Sequence, residues 1–331
     1  MSNIAQIALC TADLPRTVRI LVEAIGFANA GGRPRWGADA AQIQELPSGD
    51  DTSVMMWWLV GGQDFVQVEL FHHTVPAQRP RRADWTPADL GWVRFGIVVA
   101  DFDLTLTRLY RAGCPTLTEP VAVNGARRVC FREPGTDTII EIMEAALEDA
   151  VVPTGICDDR ASMPRLAYAA VSVSDLAGAR RYFGEAFGFS ELAPDAIHRP
   201  EHEAMWGFDA PVRTCAVFRA RDVLLEVVHY ERPAPNPPPE DGLLSDQGIM
   251  NVAIGYRDRD EMLHALAAAE SLGASASTPP PDVSGGVYLR IVDRMSVELL
   301  LVPEELDAAY GFERQGQLPP GRAPAPATAT A

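Results

Sequence analysis

The apolar positions fall into short runs, and four of those runs share one frame. They are QIALCTAD (6–13), RFGIVVAD (94–101), YAAVSVSD (168–175) and NVAIGYRD (251–258). Apolar runs of this length that stop at a polar residue predict strands. Past each aspartate the spacing changes to that of a helix. Val18, Ile20, Leu21, Ala24 and Ile25 form one apolar stripe, and Ala179, Tyr182, Phe183, Ala186 and Phe187 form its counterpart. Asp13, Asp101, Asp175 and Asp258 are therefore expected as N-caps. Gly26 and Gly188, each followed by Phe, suit a left-handed C-cap.

A second pattern closes each unit: a strand with a glutamate inside it. These are FVQVELF (Glu69), TIIEIME (Glu141), VLLEVVHY (Glu226) and MSVELLL (Glu298). The intervals from capping aspartate to glutamate are 56, 40, 51 and 40 residues, so long and short units alternate. The long units also share RWGADA (35–40) and MWGFDA (205–210), which points to a duplicated pair. Each unit reads as strand, helix, then three strands, over about 4–73, 91–145, 165–231 and 248–303. Two domains are expected, 1–148 and 164–304, joined by a linker at 149–163. The extension 305–331 turns Pro/Ala-rich and is expected to be disordered from about 317.

Composition narrows the function. A chain of 331 residues can bury two cores. Its net charge of −17 opposes binding to nucleic acid or to acidic membrane surfaces. It contains no lysine, so every fixed side-chain cation is an arginine. No run is long enough to span a membrane and the N-terminus does not read as a signal peptide, so a cytoplasmic location is expected. Cys10, Cys114, Cys130, Cys157 and Cys215 are odd in number, lack metal-site spacing and read as reduced thiols. The expected partner is a small-molecule substrate, with a homodimer left open.

The fourfold unit, the helices ending Gly-Phe, the EPGTD turn (133–137) before IIEIME, and the ELF and ELL strands resemble the vicinal oxygen chelate superfamily. That superfamily includes glyoxalase I, methylmalonyl-CoA epimerase, bleomycin-resistance proteins and extradiol dioxygenases. The resemblance covers residues 4–303 and rests on repetition in register, not on any single motif. It implies an α+β fold of four βαβββ modules paired into two half-open β-barrel domains. It also implies site residues at the start of each opening strand and at the glutamate of each closing strand. These are Gln6, Glu69, Arg94 and Glu141 in the first domain, and Tyr168, Glu226, Asn251 and Glu298 in the second. Metal sites of the superfamily usually carry histidine at an opening position, and here none does. The resemblance thus implies no ring-cleaving iron chemistry.

The residues allow several readings of each site. Arg94 cannot ligate a metal, but it can bridge Glu69 and Glu141, either as a structural ion pair or as a clamp on a substrate anion. A weak metal site through Gln6, Glu69 and Glu141 is the third reading. Glu226 and Glu298, facing each other without a cation, would share a proton and serve as general acid and base, with Tyr168 as oxyanion donor. No cofactor is favoured; with Asn251, the same two glutamates would suit Mg2+ or Mn2+. Alternatively they are solvated in an open barrel.

His73 alternates onto the face of Glu69 and is expected at the barrel mouth, with His72 and His229 on the opposite face. His198 and His202, in HRPEHE, are candidate substrate contacts. Trp57 and Trp58 should point to opposite faces, and Trp36 and Trp206 are read as structural. The expected function is an enzyme that moves a proton on a small oxygenated, apolar or aromatic metabolite, as an isomerase or lyase. The alternatives are a ligand-sequestering protein and a non-catalytic scaffold.

Overall fold

The computed structural model describes residues 2–145 and 160–316. Cys157, most of the expected linker and the tail expected to be disordered lie outside the described residues. Each of the four modules has the predicted order. The first holds β1 (Asn3–Cys10), β2 (Ala28–Trp36), β3 (Ser53–Val60) and β4 (Gln67–Val75). The second holds β5 (Gly91–Val99), β6 (Val121–Val123), β7 (Ala126–Glu133) and β8 (Thr138–Glu144). The third holds β9 (Arg165–Ser172), β10 (Ser190–Leu192), β11 (Val212–Ala220) and β12 (Val223–Arg232). The fourth holds β13 (Gly248–Tyr256), β14 (Ser275–Ala276), β15 (Gly285–Arg290) and β16 (Ser296–Leu301).

All four aspartates cap their helices. Asp13, Asp101, Asp175 and Asp258 accept from the backbone N–H of Arg16, Leu104, Gly178 and Glu261. In the two long modules the helix widens in its last turn. Gly26 N–H reaches back five residues to Leu21 O at 3.0 Å, and Phe187 N–H to Tyr182 O at 3.0 Å. Gly26 and Gly188 then take the left-handed conformation, with φ +105° and +71°. Among the described residues no helix is long and apolar enough to cross a membrane.

The pairing of modules departs from expectation. One eight-stranded sheet runs β14-β15-β16-β13-β1-β4-β3-β2 and the other β10-β11-β12-β9-β5-β8-β7-β6. The first module thus pairs with the fourth and the second with the third, so the expected pairing within 1–148 and within 164–304 does not occur. The joins are the antiparallel pairs β1–β13 and β5–β9. The largest apolar cluster draws on residues of all four modules, among them Leu21, Phe95, Phe183 and Leu266. Burying the helices of every module in one shared core binds the halves of the chain together.

Candidate active site

The same stagger recurs in every module. In the parallel pair of each module, the residue two beyond the opening position faces the glutamate. The pairs are Ala8 with Glu69, Gly96 with Glu141, Ala170 with Glu226, and Ala253 with Glu298. Strand alternation then puts opening residue and glutamate on one face. The exchange of modules decides which sets meet. Gln6 and Glu69 join Asn251 and Glu298, whereas Arg94 and Glu141 join Tyr168 and Glu226. The expected facing of Glu226 with Glu298, and of Arg94 with Glu69, is corrected accordingly.

The second of these sites is filled by the protein itself. Arg94, Glu141, Tyr168, His198 and Glu226 are all fully buried. His198 lies between the two carboxylates. Its Nδ1 is 3.0 Å from Glu226 Oε2, and its Nε2 is 2.8 Å from Glu141 Oε2. Both ring nitrogens face carboxylate oxygens, so both carry protons and the ring is an imidazolium. Burial opposes that charge, but Glu226 and Glu141 outweigh it and raise the His198 pKa. Burial likewise pushes both carboxyls up, but His198, together with Arg128 and Tyr168 at Glu141 and with Arg94 and Arg213 at Glu226, holds them below the ordinary range. Arg94 pairs with Glu226, not with Glu69 or Glu141, and lies 4.0 Å over the Trp206 ring. Tyr168 donates to Glu141. Arg128, also fully buried, lies 4.0 Å from Glu141 Oε1, so three cations, Arg94, Arg128 and His198, surround the two anions, and an imidazole occupies the space between the carboxylates.

His198 comes from the long insert of the third module, between β10 and β11. Its neighbour Ile197 is buried, and the His198 carbonyl accepts from Arg213 at 2.9 Å. A larger open hollow of about 490 Å3 lies against this insert, beside Pro194, Arg213 and Cys215. His198 also lines this hollow, and its buried ring is engaged with the two glutamates, neither of which lines it. His202 is tied to the loop, its Nδ1 accepting from Arg199 N–H at 3.1 Å. The sequence signal for His198 was the HRPEHE segment, which did not show that the ring would lie between Glu141 and Glu226.

The first site is open. Gln6, Glu69 and Glu298 line a cavity of about 250 Å3, together with Trp58, Phe71 and Tyr288. Glu69 accepts from the Gln6 amide and, at 2.8 Å, from Trp58 Nε1. Glu298 Oε2 is buried without a hydrogen-bond partner. Among the described residues neither carboxylate makes a salt bridge. Burial, only partly offset by Trp58, Arg35 and Arg33, raises the Glu69 pKa to about 8. Burial and the nearby Glu69 raise Glu298 well above the ordinary range. Asn251, fully buried, turns its amide towards the Tyr288 hydroxyl without a hydrogen bond of normal geometry.

Other expectations resolve around this cavity. Trp58 is the inward ring and touches Glu69 directly, where a packing role was the simpler reading. His73 is walled off from the cavity, bonded through Nε2 to Gln44 Oε1 at 2.8 Å, and burial lowers its pKa to about 4. His72 and His229 face away, each within 3.0 Å of a backbone carbonyl, Thr11 O and Val173 O. Trp36 is 69% exposed and so is not a packing residue, whereas Trp206 is buried under Arg94. Tyr288 takes the place in the cavity that had been expected of Tyr168.

The resemblance leaves a metal possible, and the two sites answer differently. In the sealed site a histidine and an arginine already neutralise the carboxylates, so the residues do not fit a cation. In the open site the four positions offer two carboxylates and two amides. With Glu298 Oε2 and Asn251 Oδ1 unpartnered, this all-oxygen set fits a hard divalent cation. Among the described residues no group of three or more His, Cys, Asp or Glu side chains could hold a metal.

No protein-family model and no curated protein sequence matches the chain. Solved structures do. Glyoxalase I from Zea mays superposes with TM-score 0.59 at 17% identity, covering 91% of this chain and 92% of that one. Its E144Q mutant gives TM-score 0.58 at 17% identity, covering 90% and 93%. A candidate dioxygenase from Bacillus subtilis gives TM-score 0.61 at 12% identity, covering 94% and 90%. With these full-length likenesses, the chain shares the α+β fold of these structures, the fold that its resemblance to the vicinal oxygen chelate superfamily implied.

Proposed function

We propose that the chain is an enzyme that moves a proton on a small oxygenated molecule held beside Glu69 and Glu298, in an isomerase or lyase reaction. The observation that carries this reading is a pair of buried carboxyls facing one cavity, neither of them in a salt bridge among the described residues. Burial keeps Glu298 protonated, and its unpartnered Oε2 is placed to give that proton to a substrate oxygen. Glu69 is the first of the pair to ionise, near pH 8, and is positioned by Gln6 and Trp58 to take a proton from carbon next to a carbonyl. Proton removal at carbon and delivery at oxygen give an enol, and the reverse transfers at another face or atom give the product. The Asn251 amide and Tyr288 hydroxyl add hydrogen-bonding groups for the developing oxyanion. If a divalent cation binds Glu69, Glu298, Asn251 and Gln6, it supplies positive charge to the substrate oxygen.

Solvent exchange tests this. Small 2-oxo and 2-hydroxy carbonyl compounds are incubated in D2O and followed by proton NMR. Wild type should exchange the hydrogen next to the carbonyl, faster as pH rises to about 8. Glu69→Gln and Glu298→Gln should each lose roughly 100-fold or more, while Glu141→Gln keeps the rate. Exchange lost only in Glu141→Gln would move the chemistry to the other site. Saturable binding with no exchange would make the chain a sequestering protein.

A further inference from the structure

In an acidic chain of net charge −17, two arginines at the cavity have no acidic partner. Arg33 and Arg35 lie two apart on β2, hence on one face, opposite Met56 and Val54 of β3. Both line the cavity with Glu69 and Glu298. Arg35 is half-buried and Arg33 is exposed. Among the described residues neither makes a salt bridge, whereas Arg290, which does not line the cavity, is paired with Glu45.

Arg33 is held in place without a counter-ion. Its guanidinium lies 5.5 Å from the Trp58 ring centroid and 5.6 Å from that of Tyr310. Tyr310 belongs to the segment after β16, which folds back across the first module. Its hydroxyl donates to Ser284 Oγ at 2.9 Å, and its carbonyl accepts from Gln67 at 3.2 Å. The segment is anchored by the Arg257–Asp307 ion pair and by Phe312 against Phe65, 4.6 Å between ring centroids.

We infer that Arg33 and Arg35 form an oxyanion subsite, so that the molecule bound at Glu69 and Glu298 is a small organic anion, and that Tyr310 is a positioning residue for Arg33. The fork of a guanidinium matches a carboxylate or phosphoryl group. The inference rests on the proton-transfer reading for the site, but its test reads binding alone.

The probes are pyruvate, phenylpyruvate and glycerol 3-phosphate, each beside its neutral counterpart: methyl pyruvate, methyl phenylpyruvate and glycerol. Binding is measured by calorimetry and by ligand-observed NMR. At least one anion should bind wild type about tenfold tighter than its counterpart, and the preference should weaken with salt. The class that wins tells carboxylate from phosphoryl. Arg33→Gln and Arg35→Gln should each abolish the preference, and Arg290→Gln should keep it. Tyr310→Ala should weaken it and Tyr310→Phe, which keeps the ring, should restore it. Glu298→Gln should retain it, so loss of exchange there with anion binding intact separates this inference from the catalytic one. If no anion of the set binds better than its neutral form, or if the preference survives both arginine variants, the subsite does not exist.

Discussion

Two glycines show how differently the two sites are built at the residue scale. A Cβ at Gly286 would overlap the Glu298 carboxyl, and a Cβ at Gly96 would overlap the Tyr168 ring. Neither backbone has the positive φ that strains an L side chain, so only packing is at stake. Glu298 ends in an open cavity and can swing away, whereas Tyr168 is enclosed and cannot. Gly286→Ala should therefore cut the exchange rate about tenfold or more while changing stability by less than about 1 kcal/mol. Gly96→Ala should cost about 1–3 kcal/mol by overpacking. Rate and denaturant midpoint, measured on both, check the contrast; a rate unchanged by Gly286→Ala would mean that the Glu298 position does not matter. The eight strand residues were legible because their spacing is local. Their partners were not, because contact between Glu69 and Glu298 spans the whole chain.

The inserts of the long modules explain why one barrel is open and the other closed. In the first module the insert forms the helix Ala38–Ile43, stays at the rim and places Gln44 against His73. In the third it carries His198 between Glu141 and Glu226 and Trp206 beneath Arg94. A buried cation between two anions is held by geometry, and removing it leaves uncompensated charge. His198→Ala should thus destabilise the fold by about 3–5 kcal/mol and leave the open site's exchange rate per folded molecule unchanged. Denaturant unfolding and rate per active site read the two effects apart; a loss of rate with stability intact would assign His198 to the chemistry. The repeated motifs RWGADA and MWGFDA announced the inserts in sequence. Their opposite destinations were hidden, because the course of a loop depends on what it packs against.

For the whole molecule, the frame of four βαβββ units was readable because each unit repeats the same strand, cap and helix signals. The choice of partner was not, since each opening strand presents the same hydrogen-bonding edge to any other. The choice that the fold makes distributes charge unevenly. Arg94, Arg128 and His198 fall in one barrel with Glu141 and Glu226, whereas in the other neither Glu69 nor Glu298 has an ion pair among the described residues. This asymmetry is the basis for assigning chemistry to the open site, and it is directly measurable. With glutamate labelled with carbon-13 at the side-chain carboxyl, a pH titration by NMR resolves protonated from ionised groups. The account predicts two carboxyls still protonated at pH 7, one of which ionises near pH 8. One signal should vanish in Glu69→Gln and the other in Glu298→Gln, while Glu141 and Glu226 ionise below the ordinary carboxylate range. Carboxyls at 69 and 298 that both ionise in the ordinary range, or a protonated signal that disappears instead in Glu141→Gln or Glu226→Gln, would contradict it.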